Sequence, residues 1–233
     1  MQWTQGIADT TCVRPPTCFV ALLLSILAAF ALPAEASTAH SQPAGEGRDW
    51  RPRAIEPIVA IQPLGDLDRV LIDAVAARIQ ATFAVHAIVL HAKPLPELAF
   101  YQPRRRFRGE RLIDWLEATR PARASKVLGL MSRDLSVTKG RTYDWGVMGV
   151  AGLRRSSGVV SSYRLSRHQA SEALVKQRLC QVAVHELGHT FGLHHCDTPR
   201  CIMNDAEGGI ASVDGSSGEF CQSCRRKLGD RLR

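Results

Sequence analysis

From His185 to His195 the chain reads His-Glu-Leu-Gly-His-Thr-Phe-Gly-Leu-His-His, and the spacing H-E-x-x-H-x-x-G-x-x-H within it constrains the fold more than any other feature. Histidines four residues apart lie one above the other on a helix, so His185 and His189 can offer two imidazole nitrogens to one ion. Glu186 follows about 100° around the helix axis, where it flanks a metal rather than ligating it, and that is where a general base belongs. Gly192 can take the left-handed conformation that ends a helix, which lets the chain fold back and bring His195 to a third corner. Three protein ligands leave a fourth position for water, the arrangement of a catalytic zinc. A bare H-E-x-x-H arises by chance; Gly192 and His195 at their required offsets favour a metal site over satisfied surface histidines. His194 falls one position short of the pattern and is placed outside the ligand set.

The sequence continues with Cys196, Cys201, Met203, Cys221 and Cys224. A C-x4-C pair and a C-x-x-C pair can surround one ion with four thiolates, closing its coordination shell against substrate. The same spacings permit disulfides Cys196–Cys201 and Cys221–Cys224, or a redox pair, and the residues leave these alternatives open. The whole run, H-E-x-x-H-x-x-G-x-x-H-C-x4-C-x-M-x17-C-x-x-C, resembles the archaemetzincin signature of the metzincin metallopeptidases at every fixed position. The resemblance is specific from Val182 to Cys224. It is looser upstream, at Val127–Leu130, Asp134-Leu135 and Val159–Leu165, and reaches back to about Ala54; Tyr143–Val150 departs from the family's aromatic-rich strand.

This resemblance implies catalytic zinc on His185, His189 and His195, Glu186 as general base, Met203 in a turn beneath the metal, and a structural zinc on Cys196, Cys201, Cys221 and Cys224. It therefore implies two zinc ions per chain and hydrolysis of peptide bonds by a zinc-bound water. The rival expectation is an exported zinc-binding module of the same fold with little or no proteolysis. No residue marks a specificity pocket, an endo- or exopeptidase preference, a latency device or an oligomeric state.

Arg14 precedes an apolar run from Phe19 to Leu32, and Ala34-Glu35-Ala36 offers small residues where a signal peptidase reads, so a signal peptide over residues 1–36 and a secreted or periplasmic destination are expected. The run is too short to span a bilayer comfortably and Pro33 ends it, although an uncleaved anchor is the alternative. Cleavage would remove Arg14, Asp9 and Glu35, leaving 29 of the 30 basic and 20 of the 22 acidic residues. That basic excess favours acidic partners in general, with no nucleic-acid fold signature beside it. The block Arg104–Arg108 reads as a solvated loop or helix approach in preference to a nucleic-acid or lipopolysaccharide contact. Cys180, left outside the zinc pattern, reads as a small buried thiol.

Residues 37–53 read as a flexible leader, and one domain is expected over 54–233, divided into an N-terminal part (54–192) and a C-terminal part (193–233). Strands are expected at Ile55–Ile61, Val85–His91, Lys126–Met131, Val147–Leu153 and Gly158–Leu165. Helices are expected after Gly65, with an apolar face through Leu67, Val70, Leu71, Ala74, Val75 and Ile79, at Glu110–Ala118, and over the histidine segment with Ser171 as its cap. The fold class that follows is α/β or α+β, a mixed twisted sheet with packed helices; the resemblance makes it metzincin-like, with an active-site helix and a small irregular zinc-stapled tail. An extended peptide could lie beside an exposed edge strand, and because the resemblance implies an edge strand above the metal, Gly158–Leu165 is the candidate. His40, His86, His91 and His168 are assigned no chemistry.

Overall fold

The computed structural model describes residues 57–206 and 209–232; the signal peptide, the leader and the domain start expected near Ala54 lie outside them. Five strands form the main sheet in the order β2-β1-β5-β9-β8. They are β1 (Ile58–Leu64), β2 (His86–Val89), β5 (Lys126–Met131), β8 (Gly149–Ala151) and β9 (Ser157–Ser161). All neighbours are parallel except β8, which pairs antiparallel to β9 at the edge. Parallel strands need helical crossovers on the sheet faces, and their side chains must be apolar on both. Val59, Ile61, Leu128, Leu130 and Val160 accordingly face one core, while Ala60, Leu64, Val127, Met131 and Val159 face the other.

Helices α1 (Arg69–Phe83) and α3 (Glu172–Thr190) pack on the first face, and α2 (Gly109–Thr119) covers the second with Leu112 and Leu116. Asp68 caps α1 by accepting the Val70 N–H at 2.8 Å. Its buried stripe is Ile72, Val75, Ile79 and Phe83, rotated from the expected face: Val70 is 61% exposed. The three-four spacing of this set carries Phe83 into a ring cluster with Phe191 and Phe220, which favours it over the stripe through Val70.

A second sheet, absent from the sequence reading, has the order β3-β4-β6-β7. It comprises β3 (Phe100–Tyr101), β4 (Arg106–Arg108) and the hairpin of β6 (Leu135–Lys139) and β7 (Thr142–Val147). The single strand expected at Val147–Leu153 is thus divided at Met148 between two sheets. The basic block leads directly into α2, and Arg104 and Arg105 are exposed as expected; its second half is not solvated, since Arg106 bridges Asp134 and Asp144 at 2.8 Å each and Arg108 is buried beneath the Tyr143 ring and bonded to the Tyr143 carbonyl. Two further helices, α4 (Ile210–Gly215) and α5 (Gln222–Leu232), occupy the tail that was expected to be irregular. Among the described residues no helix is long and apolar enough to cross a membrane.

Candidate metal centre

Helix α3 begins where Ser171 accepts the Leu174 N–H at 3.3 Å, and it buries Val175, Leu179, Val182, Ala183 and Leu187. That burial fixes the rotation of the helix, and so the direction in which His185 and His189 point. The helix ends as the glycine predicts. Gly192 takes φ +83° and donates to the His189 carbonyl at 2.8 Å, and the Leu193 N–H then returns to the Gly188 carbonyl at 2.9 Å. This reversal carries the chain back to His195.

One ligand nitrogen from each of His185, His189 and His195 lies within 4.8 Å of the others. The Nε2 atoms of His185 and His189 are 3.0 Å apart, close to the ~3.3 Å that two imidazoles bound tetrahedrally to one zinc would show. The opposite ring nitrogens are both held: His185 Nδ1 donates to the Ile202 carbonyl at 2.8 Å and His189 Nδ1 to the Leu193 carbonyl at 2.7 Å. Placing the protons on Nδ1 leaves both Nε2 lone pairs free for an ion. Burial, and then the neighbouring His189, drives the His185 pKa down to about 3; burial lowers His189 as well. Both rings are therefore neutral, the state a metal requires. His195 is 46% exposed on its side chain, with Nδ1 3.5 Å from Asp205. His194 is exposed and stands outside the group.

Glu186 is only 7% exposed, and burial raises its pKa to about 8. Its carboxylate lies against edge strand β8: a Cβ on Gly149 would fall 2.7 Å from Glu186 Cγ and Oε1. Gly188 plays a matching role beneath the helix, where a Cβ would meet Met203 Sδ at 2.8 Å. Met203 is fully buried there, as the resemblance implies. Neither glycine was singled out from the sequence; a glycine inside a regular element is the signal of a close approach.

Cys196, Cys201, Cys221 and Cys224 converge with their Sγ atoms within 4.8 Å of one another. The Cys196–Cys221 and Cys201–Cys224 separations are 3.7 and 3.9 Å, against ~3.8 Å for two thiolates of a tetrahedral zinc and ~2 Å for a disulfide. Hydrogen bonding from the Cys224 N–H draws the Cys221 thiol down to about 6, whereas burial raises Cys201 and Cys224. Asn204, missed in the sequence, donates to the carbonyls of Cys196 and Thr198 and so ties the first cysteine to the methionine turn. Cys180 is half-buried, with burial raising its thiol pKa.

The histidines and Glu186 open onto a cavity of about 300 Å³ walled by Val137, Trp145, Val147, Val182 and Val213. The expected substrate edge needs correction. β9 sits inside the sheet between β5 and β8, so the free edge beside the cavity is β8, Gly149–Ala151.

The profile of peptidase family M54 matches residues 101–230. An archaemetzincin of Haloquadratum walsbyi is 31% identical over 178 residues, covering 73% of this chain and 99% of that protein. Among solved structures, archaemetzincin from Methanopyrus kandleri superposes with a TM-score of 0.66 at 28% identity, covering 78% of this chain and 98% of its own. The Archaeoglobus fulgidus protein, crystallised with malonate, gives 0.62 at 27% identity, with 73% and 99% covered.

Proposed function

This chain belongs to peptidase family M54, the archaemetzincins, a family of zinc metallopeptidases, and from that membership we propose that it hydrolyses peptide bonds at the three-histidine centre. The observation that carries the proposal is the convergence of His185, His189 and His195 on one point, with buried Glu186 facing the same cavity. We assign the three histidines as catalytic ligands, the four cysteines as ligands of a second, structural ion, and hence two zinc ions to each chain. Zinc bound to the histidines supplies Lewis acidity and lowers the pKa of water towards neutrality.

Everything else in the mechanism is done by the chain. The Ile202 and Leu193 carbonyls hold the imidazoles in the ligating tautomer. Glu186 would accept a proton from the attacking water and pass it to the departing amine, with the positive charge of the adjacent zinc favouring the ionised carboxylate against the burial that raises its pKa. Strand β8 offers an unpaired edge along which an extended peptide can add as a further strand. The apolar run and small residues before Ser37 support export, with cleavage near Ala36, as part of the same reading.

The test is Glu186→Gln. The variant should retain zinc on the histidines and lose about 10²–10⁴-fold in turnover of a generic peptide library. Full activity with metal retained would remove Glu186 from the role; a metal-loaded wild-type chain that cleaves nothing would favour a zinc-binding module.

A further inference from the structure

Two walls of the cavity stand outside the main sheet and α3. The β6–β7 hairpin contributes Val137, Trp145 and Val147, and α4 contributes Ser212 and Val213. Both walls are tied to one turn, Ser162–Ser166, which leaves the end of β9. The turn is itself fixed: Ser162 donates to the Met131 carbonyl at 2.9 Å, and the N–H groups of Leu165 and Ser166 return to the Ser162 carbonyl at 3.0 and 3.1 Å.

Towards the hairpin, Arg164 donates through Nε and Nη2 to the two oxygens of Asp134 at 2.8 and 3.1 Å. Asp134 also accepts from Arg106, whose Nη1 reaches Asp144 in β7 at 2.8 Å. The four side chains are between 11 and 20% exposed, so the network lies mostly out of water. Arg164 packs so close to Gly146 of β7 that a Cβ there would run into its guanidinium. Towards α4, the carbonyl of the very next residue, Leu165, accepts from Arg178 Nη1 at 2.8 Å. Arg178, itself buried, grips the two oxygens of Asp214 at 2.7 and 2.6 Å.

We propose that Arg164 and Arg178 are positioning residues that key the hairpin and α4 to this single turn and thereby set the shape of the groove that receives the peptide. The proposal rests on the peptidase reading for its functional meaning. A guanidinium fork on a carboxylate fixes both distance and angle, which a lysine ammonium does not, and breaking such a pair away from water leaves an uncompensated charge. Neither arginine lines the cavity, so neither need touch substrate.

The experiment compares Arg164→Met, Arg164→Lys, Gly146→Ala, Arg178→Met and Arg178→Lys with the wild-type full chain by hydrogen exchange, zinc content and peptidase kinetics. Arg164→Met and Gly146→Ala should speed exchange in 135–147 by about tenfold, and Arg178→Met should do so in 210–215, with the α3 amides unchanged. KM should rise several-fold while kcat and zinc content hold, and the lysine variants should recover only part of the loss. Gly146→Ala displaces the guanidinium without deleting it, so it decides the hairpin arm if Arg164→Met does not fold. Unchanged exchange and KM in both hairpin variants, or exchange accelerated uniformly through α3 and the main sheet, would overturn the proposal. Hydrogen exchange requires neither metal nor turnover. A wild-type chain that cleaves nothing would therefore sink the peptidase reading, while the exchange pattern alone decides whether the arginines hold the walls.

Discussion

At the residue scale, the histidine motif announces the proposed ligands, but two glycines decide whether the histidine helix and Glu186 can stand where they do. Gly149→Ala would push a methyl into Glu186 Cγ, Oε1 and Val182. Zinc content should be kept and kcat/KM should fall by about 10²-fold, because a base displaced by an ångström loses its geometry with the water; peptide kinetics beside metal analysis check this. Gly188→Ala would instead press on Met203, a fully buried side chain with little room to yield. A cost of about 1–3 kcal/mol is expected in chemical denaturation. The convergence of the three histidines was legible because metal chemistry demands fixed residue types at fixed offsets. Gly149 was not, since its partner Glu186 is 37 positions away in the chain and a lone glycine in a strand says only that something comes close.

At the element scale, Ser171→Ala should cost about 1 kcal/mol by removing the cap of α3, read as a fall in the denaturation midpoint. Acid provides another test. Arg155, by hydrogen bonding, holds the Glu117 pKa at about 2, below its ordinary value of 4.5. A depressed folded-state value means that the stabilisation is complete above about pH 4.5 and is lost as pH falls towards 2. Glu117→Gln should therefore flatten the pH dependence of stability in that window by about 1 kcal/mol, the pair being partly exposed. Strand β5 was legible to the residue, because a central parallel strand is apolar on both faces and reads as an unbroken run. The β6–β7 hairpin was not: Thr142–Val147 is half-exposed, polar and aromatic by turns, and its place is set by the Asp134 and Asp144 ion pairs. Helix α5 escaped for a similar reason. Gln222–Leu232 is mostly polar or charged, and the residues that fasten it, Cys224 and Leu228, are too few to show an apolar stripe.

At the scale of the whole molecule, one large core reaches from the sheet through α3 to Ile202, Val213, Phe220 and Leu228. On the proposed reading, chelation should loosen the tail first, because α4 and α5 reach that core through only a few side chains, among them Val213, Cys224 and Leu228. Limited proteolysis with and without chelator should cut within 196–232 well before the main sheet, and Cys224→Ser should reproduce that pattern with chelator omitted. His195 and Cys196 are consecutive, so one peptide unit separates the histidine group from the cysteine group. If both centres hold zinc as proposed, the two sites are wired in series: slack in the cysteine knot would be transmitted at once to the most exposed of the three histidines, and peptidase activity would become a gauge of whether the tail is still metallated.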